Sequence, residues 1–123
     1  MQVPAYPHEG IAALFKAVSD PTRVRILATI VFAGELCVCH VEKALGLSQS
    51  RVSRHLTALR RAGLLIDRRD GAWTYYSIPR RTSTSIRSTI AIVRKAMESE
   101  PELESLVARA IAVRDGQDCG VRR

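Results

Sequence analysis

Ser48-Gln49-Ser50-Arg51-Val52-Ser53-Arg54-His55-Leu56, and the two β-rich runs that follow Gly63 on either side of Asp70-Gly71, decide the fold. Ser48 precedes apolar positions Val52, Leu56 and Leu59, spaced i, i+4 and i+7. Its hydroxyl predicts an N-cap, the stripe predicts a helix, and Gly63 its end. Leu64 to Arg69 and Ala72 to Ile78 flank Asp70-Gly71, a two-residue loop of the kind that closes a hairpin. Upstream, Val38 to Leu45 predicts a short helix closed by Gly46. Asp20-Pro21 opens another, with Val24, Leu27, Ala28 and Val31 as its buried stripe and Gly34 as its stop. In His8 to Val18 the apolar Ile11, Leu14, Phe15 and Val18 mark a first helix. Helix, short turn, helix and basic hairpin, in that order, make a winged helix-turn-helix of a mainly α (α+β) class.

Two more helices follow the hairpin. Ile86, Ile90, Val93 and Met97 form one stripe, and Ser99-x-x-Glu102 with Pro101 resembles a capping box opening a helix with Leu103, Leu106, Val107, Ala110 and Ile111 on one side. A small winged domain has limited core to cover three extra apolar faces. The N- and C-terminal helices are therefore expected to pair with their copies in a homodimer; the alternative is that they thicken one monomer's core. At 123 residues the chain reads as one domain over 1–114, with 115–123 as a disordered tail. No apolar run reaches the roughly 18 residues that cross a bilayer, and no secretory pattern opens the chain. The expectation is a cytoplasmic protein with no membrane partner.

The charge is unevenly placed. Of the net +7, the segment from Ser48 to Arg81 carries +6, eight arginines against Asp67 and Asp70. Such a concentration points to a polyanion, against the alternative of a merely solvated basic face. The second helix of a helix-turn-helix presents its first turns to base edges of duplex DNA. Here those turns carry Ser48, Gln49, Ser50, Arg51, Ser53 and Arg54. Gln suits adenine and Arg suits guanine, each good pair giving about 1–3 kcal/mol of discrimination. Arg68 and Arg69 on the hairpin suit phosphates, and Tyr75 offers a hydroxyl. His55 is expected to bond within the helix pair, and Trp73 and Tyr76 to pack the hairpin.

Cys37 and Cys39 lie in Glu35-Leu36-Cys37-Val38-Cys39-His40, about ten residues ahead of the reading helix. Three cysteines make a poor disulfide framework in a reducing compartment. A sulfur pair selects soft ions such as Cu(I), Zn or other thiophilic species, while two buried small hydrophobes are the plainer alternative. In a regular helix i and i+2 lie about 200° apart, so sharing an ion requires an unwound or bent start. Ligation and helix would then compete behind the reading helix. His40 is expected to be exposed. No His-plus-acid arrangement around either cysteine supports an enzyme.

With these segments in view, the chain resembles the ArsR/SmtB family of metal-sensing repressors. Phe15-Lys-Ala-Val-Ser-Asp-Pro-Thr-Arg-Val-Arg-Ile-Leu27 is similar to its first-helix signature, Glu35-Leu-Cys-Val-Cys39 to its thiolate box, and Ser48 to Leu56 to its recognition helix. The likeness covers roughly Ile11 to Ile78. It implies a homodimeric repressor that holds double-stranded operator DNA when apo and leaves it on binding inducer. The Cys-Val-Cys box resembles those of arsenite and antimonite sensors and of cadmium/lead sensors.

The family's arsenite sensors commonly carry a third cysteine three residues after the second, where this chain has Glu42. The third sulfur is then expected from Cys119 of either chain, or a small thiol or hydroxide completes the site; the alternative is a free thiol on the tail. The cadmium/lead type needs further N-terminal cysteine, and Met1 to Ser19 has none; the zinc type needs Asp and His pairs late in the chain, and Arg81 to Met97 has no Asp, Glu or His. The resemblance thus implies As(III) or Sb(III) as inducer at Cys37, Cys39 and Cys119. A divalent Cd, Pb or Zn sensor, or a winged regulator with structural cysteines, is the alternative.

Overall fold

The computed structural model describes residues 7–116. Its elements are α1 (Pro7–Ala17), α2 (Pro21–Ala33), β1 (Leu36–Cys37), α3 (Val38–Leu45), α4 (Gln49–Arg61), β2 (Ile66–Asp70), β3 (Trp73–Ser77), α5 (Thr84–Met97) and α6 (Pro101–Gly116). This is the winged helix-turn-helix expected from the sequence: a helical body carrying a small antiparallel sheet.

Asp20 starts α2 as its composition requires. Its carboxylate accepts from the Thr22 and Arg23 amides at 2.7 and 3.3 Å, satisfying donors that no helical carbonyl can reach. The buried face of α2 is wider than the expected stripe: Ile26 to Ile30 and Ala33 are buried, while Val24 and Val31 are half-buried. The cause is position, since α4, α5, α6 and β3 all pack on α2. A helix surrounded in this way buries more than one stripe.

Gly46 (φ +69°) closes α3 in the left-handed region, its amide bonded to the Glu42 carbonyl at 2.8 Å. The short turn through Leu47 and Ser48 then leads into α4. Val41 and Ala44 of α3 and Val52, Leu56 and Leu59 of α4 are all buried in the common core, which welds the helix pair together.

The wing differs from expectation by one residue. Asp70 pairs with Trp73, so the two-residue loop is Gly71-Ala72 rather than Asp70-Gly71, and Gly71 (φ +63°) takes its first corner. β2 is exposed along its whole length; the core contact comes from Leu64 and Leu65 just before it. β1, a two-residue strand that periodicity cannot reveal, adds to β3 through Leu36↔Tyr76 and Cys37↔Tyr75, giving the order β1-β3-β2.

Ser83 caps α5, accepting from the Ile86 amide at 3.3 Å. α6 begins at Pro101, which makes Glu100 its flanking residue and leaves Ser99 one position too early for the expected capping box. The helix continues to Gly116, past the boundary expected at residue 114. α6 belongs partly to the monomer's own core: Leu103 and Ala110 are buried in it. Arg109 Nε donates to the Ala44 carbonyl (3.0 Å) and Arg114 Nη1 to the Ala33 carbonyl (2.6 Å). These cations meet the C-terminal ends of α3 and α2, where carbonyls lack helical partners. By contrast, Phe15 of α1 and Ile92 of α5 are 63% and 67% exposed, apolar surface the monomer leaves uncovered. No helix among the described residues is long and apolar enough to cross a membrane.

Candidate nucleic-acid interface and thiol site

Ser48 caps α4, its hydroxyl accepting from the Arg51 amide at 3.4 Å and lying 3.4 Å from the Ser50 hydroxyl. With Val52, Leu56 and Leu59 turned into the core, Gln49, Ser50, Arg51 and Arg54 are exposed and Ser53 is half-buried. Among the described residues Arg51 and Arg54 form no ion pair, so both guanidinium groups face solvent uncommitted. His55 bonds within the helix packing, as expected: its Nδ1 accepts from Arg23 Nε at 3.3 Å. Burial holds its pKa below 6.5, helped by Arg23, Arg51 and Arg54 and opposed by Asp20.

The wing arginines separate into two roles. Adjacent strand residues point to opposite faces. Arg69 is exposed and in no ion pair among the described residues. Arg68 instead donates Nε and Nη2 to the two Glu35 oxygens at 2.8 Å each, and its guanidinium lies 4.5 Å from the Tyr75 ring centroid. In the sequence Glu35 has no visible partner, because its meeting with Arg68 depends on the two-residue β1. Tyr75 is half-buried and touches both Arg68 and the cysteine cluster, and Tyr76 is buried in the main core. Trp73 packs against the cysteine pair.

Cys37 ends β1 and is the N-cap of α3, with extended backbone (φ −92°, ψ 169°); Cys39 is the second residue of the helix. Both are buried, 2% and 5% exposed, in a small cluster with Trp73, Tyr75 and Val113. This revises the competition between ligation and helix. Cys37 already stands outside the helix, so both sulfurs join one cluster with α3 regular from Val38 onward. Cys37 is a free thiol and Cys39 is disulfide-bonded. Cys119 lies outside the described residues.

His40 is buried rather than exposed, and its Nδ1 accepts from the Cys37 amide at 3.0 Å. Burial lowers its pKa, aided by Arg114 and opposed by Asp115. A neutral ring accepting at Nδ1 carries its proton on Nε2, so neither nitrogen offers a lone pair to an ion while this bond persists. Glu42 keeps one carboxylate oxygen buried without a hydrogen-bond partner. Among the described residues no three His, Cys, Asp or Glu come together to hold a metal. The described residues thus bring two sulfurs together, of which Cys39 is a thiol donor only once its disulfide is reduced.

A family model described as bacterial regulatory protein, arsR family, matches residues 20–67. The arsenical resistance operon repressor of Escherichia coli is 41% identical over 100 residues, 80% of this chain and 82% of that protein. The arsenic resistance transcriptional regulator ArsR1 of Pseudomonas putida is 52% identical over 65 residues, 53% of this chain; the match spans about half of that protein, 51%. A cadmium resistance regulatory protein CadC homolog of Staphylococcus aureus is 41% identical over 68 residues, 55% of this chain and 56% of that protein. Among solved structures, a homodimeric winged helix-turn-helix domain from Mycobacterium bovis, a possible ArsR-family regulator, superposes with a TM-score of 0.60 at 26% identity, covering 82% of this chain and 92% of that one.

Proposed function

Because the chain belongs to the arsR family of bacterial regulatory proteins, we propose that it is a cytoplasmic homodimeric repressor of a metalloid-resistance operon, released from its operator when As(III) or Sb(III) binds Cys37 and Cys39. The observation that carries this reading is the gathering of both sulfurs in one cluster against the wing residues Trp73 and Tyr75. Gln49, Ser50, Arg51, Ser53 and Arg54 read bases from a helix capped by Ser48, and Arg69 holds phosphate. Phe15 and Ile92 supply apolar surface for the dimer. The fold and the relatives are those of DNA-binding regulators, which need no catalytic group.

Loading requires both sulfurs as thiols, so the Cys39 disulfide must first be cleaved by a small-molecule thiol reductant, which supplies two electrons and is itself left as a disulfide. Each As–S bond then forms as a thiol proton leaves with an arsenite hydroxide, as water. The third position is taken by Cys119 or by a small thiol. The relatives named as cadmium resistance regulatory proteins raise a second reading, a divalent sensor on the same pair. What favours the metalloid is the donor set: two sulfurs need one more for a trigonal ion, whereas a tetrahedral ion needs two more, and His40 is occupied.

The test uses a labelled duplex selected by the apo protein from a random pool. Arsenite should release the wild-type protein, and Cys37→Ser and Cys39→Ser should abolish release. If both variants still respond to arsenite, the assigned sensor is wrong; release by cadmium alone selects the second reading.

A further inference from the structure

Arg68, Tyr75 and Cys37 stand in one row across the three strands. β3 pairs with β2 as Arg68↔Tyr75 and with β1 as Cys37↔Tyr75, so the three side chains are direct cross-strand neighbours on one face. The contacts agree with the register. The Arg68 guanidinium lies 4.5 Å from the Tyr75 ring centroid, and the Tyr75 side chain also packs against the cluster containing Cys37 and Cys39. Glu35, two residues before Cys37, holds Arg68 by two 2.8 Å bonds. The opposite sheet face, with Leu36 and Tyr76, is committed to the main core.

Resting on the reading of the thiol pair as the sensor, we infer that Tyr75 is a positioning residue that transmits occupancy of Cys37 and Cys39 to Arg68 of the wing, with Glu35 as the anchor from which Arg68 is dislodged. The sulfurs are buried in a packed cluster. An ion bound to both cannot be added without moving the side chains that cover them. Displacing the Tyr75 ring removes the aromatic face beneath Arg68 and alters its approach to Glu35, so the wing changes its presentation to DNA. The effect does not depend on the Tyr75 hydroxyl, only on the ring.

The experiment compares the selected duplex's Kd with and without arsenite, in the wild type and in Tyr75→Phe, Tyr75→Leu and Glu35→Ala. Trp73, the single tryptophan, lies in the same cluster and reports arsenite uptake by its fluorescence. The wild-type ratio of the two Kd values should fall in the range of about 5–150-fold typical of coupled sites. Tyr75→Phe should keep that ratio. Tyr75→Leu and Glu35→Ala should bring it to within about twofold of one, whatever their apo affinity, while Trp73 still registers uptake. A full ratio in either of these two, or a ratio lost in Tyr75→Phe, overturns the inference. If Tyr75→Leu fails to fold or to take up arsenite, Glu35→Ala decides alone. Wild-type protein that shows neither a Trp73 response nor release defeats the sensor reading itself, a distinct outcome.

Discussion

Neighbouring arginines on β2 provide a measurement of which wing side chains meet phosphate. Arg68→Ala and Arg69→Ala each remove one charge per chain, but from different surroundings. Arg69 is exposed and in no ion pair among the described residues, whereas Arg68 is neutralised by Glu35 through two 2.8 Å bonds. A cation that meets a phosphate releases condensed counterions, worth about 0.9 in the slope of log K against log salt. Two Arg69 side chains in the proposed dimer therefore carry about 1.8 of slope. Over a fourfold salt range, from about 50 to about 200 mM, binding by the wild type should weaken about 12-fold more than binding by Arg69→Ala. Arg68→Ala should change the slope by well under one unit, because Glu35 already serves as its counterion. Fluorescence anisotropy on a labelled duplex across that range reads all three proteins. Equal losses of slope in the two variants would refute the division of roles, and an unchanged slope in Arg69→Ala would remove the wing tip from the interface.

Three further outcomes are expected. Asp20→Ala removes the acceptor for the Thr22 and Arg23 amides and should cost about 0.5–2 kcal/mol in urea unfolding; no loss would mean that water replaces the cap. Phe15→Glu should shift the protein from dimer to monomer in sedimentation analysis, since it charges a 63% exposed aromatic on α1; an unaltered dimer would place the interface elsewhere. His55 has a folded pKa below its unfolded value of 6.5, so the unfolded state binds more protons and stability rises with pH. The penalty is absent above 6.5 and grows as pH falls below it. His40 acts in the same direction, so His55→Gln should flatten only part of that slope, and a variant with the full slope would contradict the assignment.

The helix-turn-helix was legible because each of its signals is local. Ser48, Gly46 and Gly63 mark ends, and Val52, Leu56 and Leu59 mark a face, with no need for distant contacts. The cysteine neighbourhood was not legible for the opposite reason. β1 is two residues long, too short to show a period, and exists only because β3 lies beside it. Without β1, nothing shows that Cys37 is already extended, His40 looks exposed, and Glu35 has no visible reason to meet Arg68, thirty-three positions away. The hairpin loop slipped by one residue because Asp70-Gly71 and Gly71-Ala72 both satisfy the demand for a glycine at a tight corner. Pairing of Asp70 with Trp73 chooses between them. The late helices were found by their stripes, but which of them the monomer covers depends on Arg109 and Arg114 reaching carbonyls on α3 and α2.

In the proposed loading of the thiol pair, burial of the sulfurs decides which part of the molecule yields. Among the described residues the apolar side chains packed on them are Trp73 and Tyr75 of β3 and Val113 of α6. α6 is held by Leu103 and Ala110 in the core and by two arginine-to-carbonyl bonds. The hairpin is held more lightly: its outer strand is exposed throughout, and it is attached by the two-residue β1, by the buried Tyr76, by Leu64 and Leu65 at its base, and by the Glu35–Arg68 and Arg60–Asp67 ion pairs. α4 is fixed by Val52, Leu56 and Leu59, each 0% exposed. Emptying the site of one such leucine costs about 2–5 kcal/mol, so disturbing two of them together exceeds the roughly 1–3 kcal/mol that couples typical binding sites. Moving the wing against a fixed reading helix is therefore the cheaper response, rather than distorting α3 behind α4. Hydrogen exchange separates the two courses. On arsenite loading, amides of β2 and β3 should lose protection while those of α4 keep it; equal loss in α4 would return the response to the reading helix.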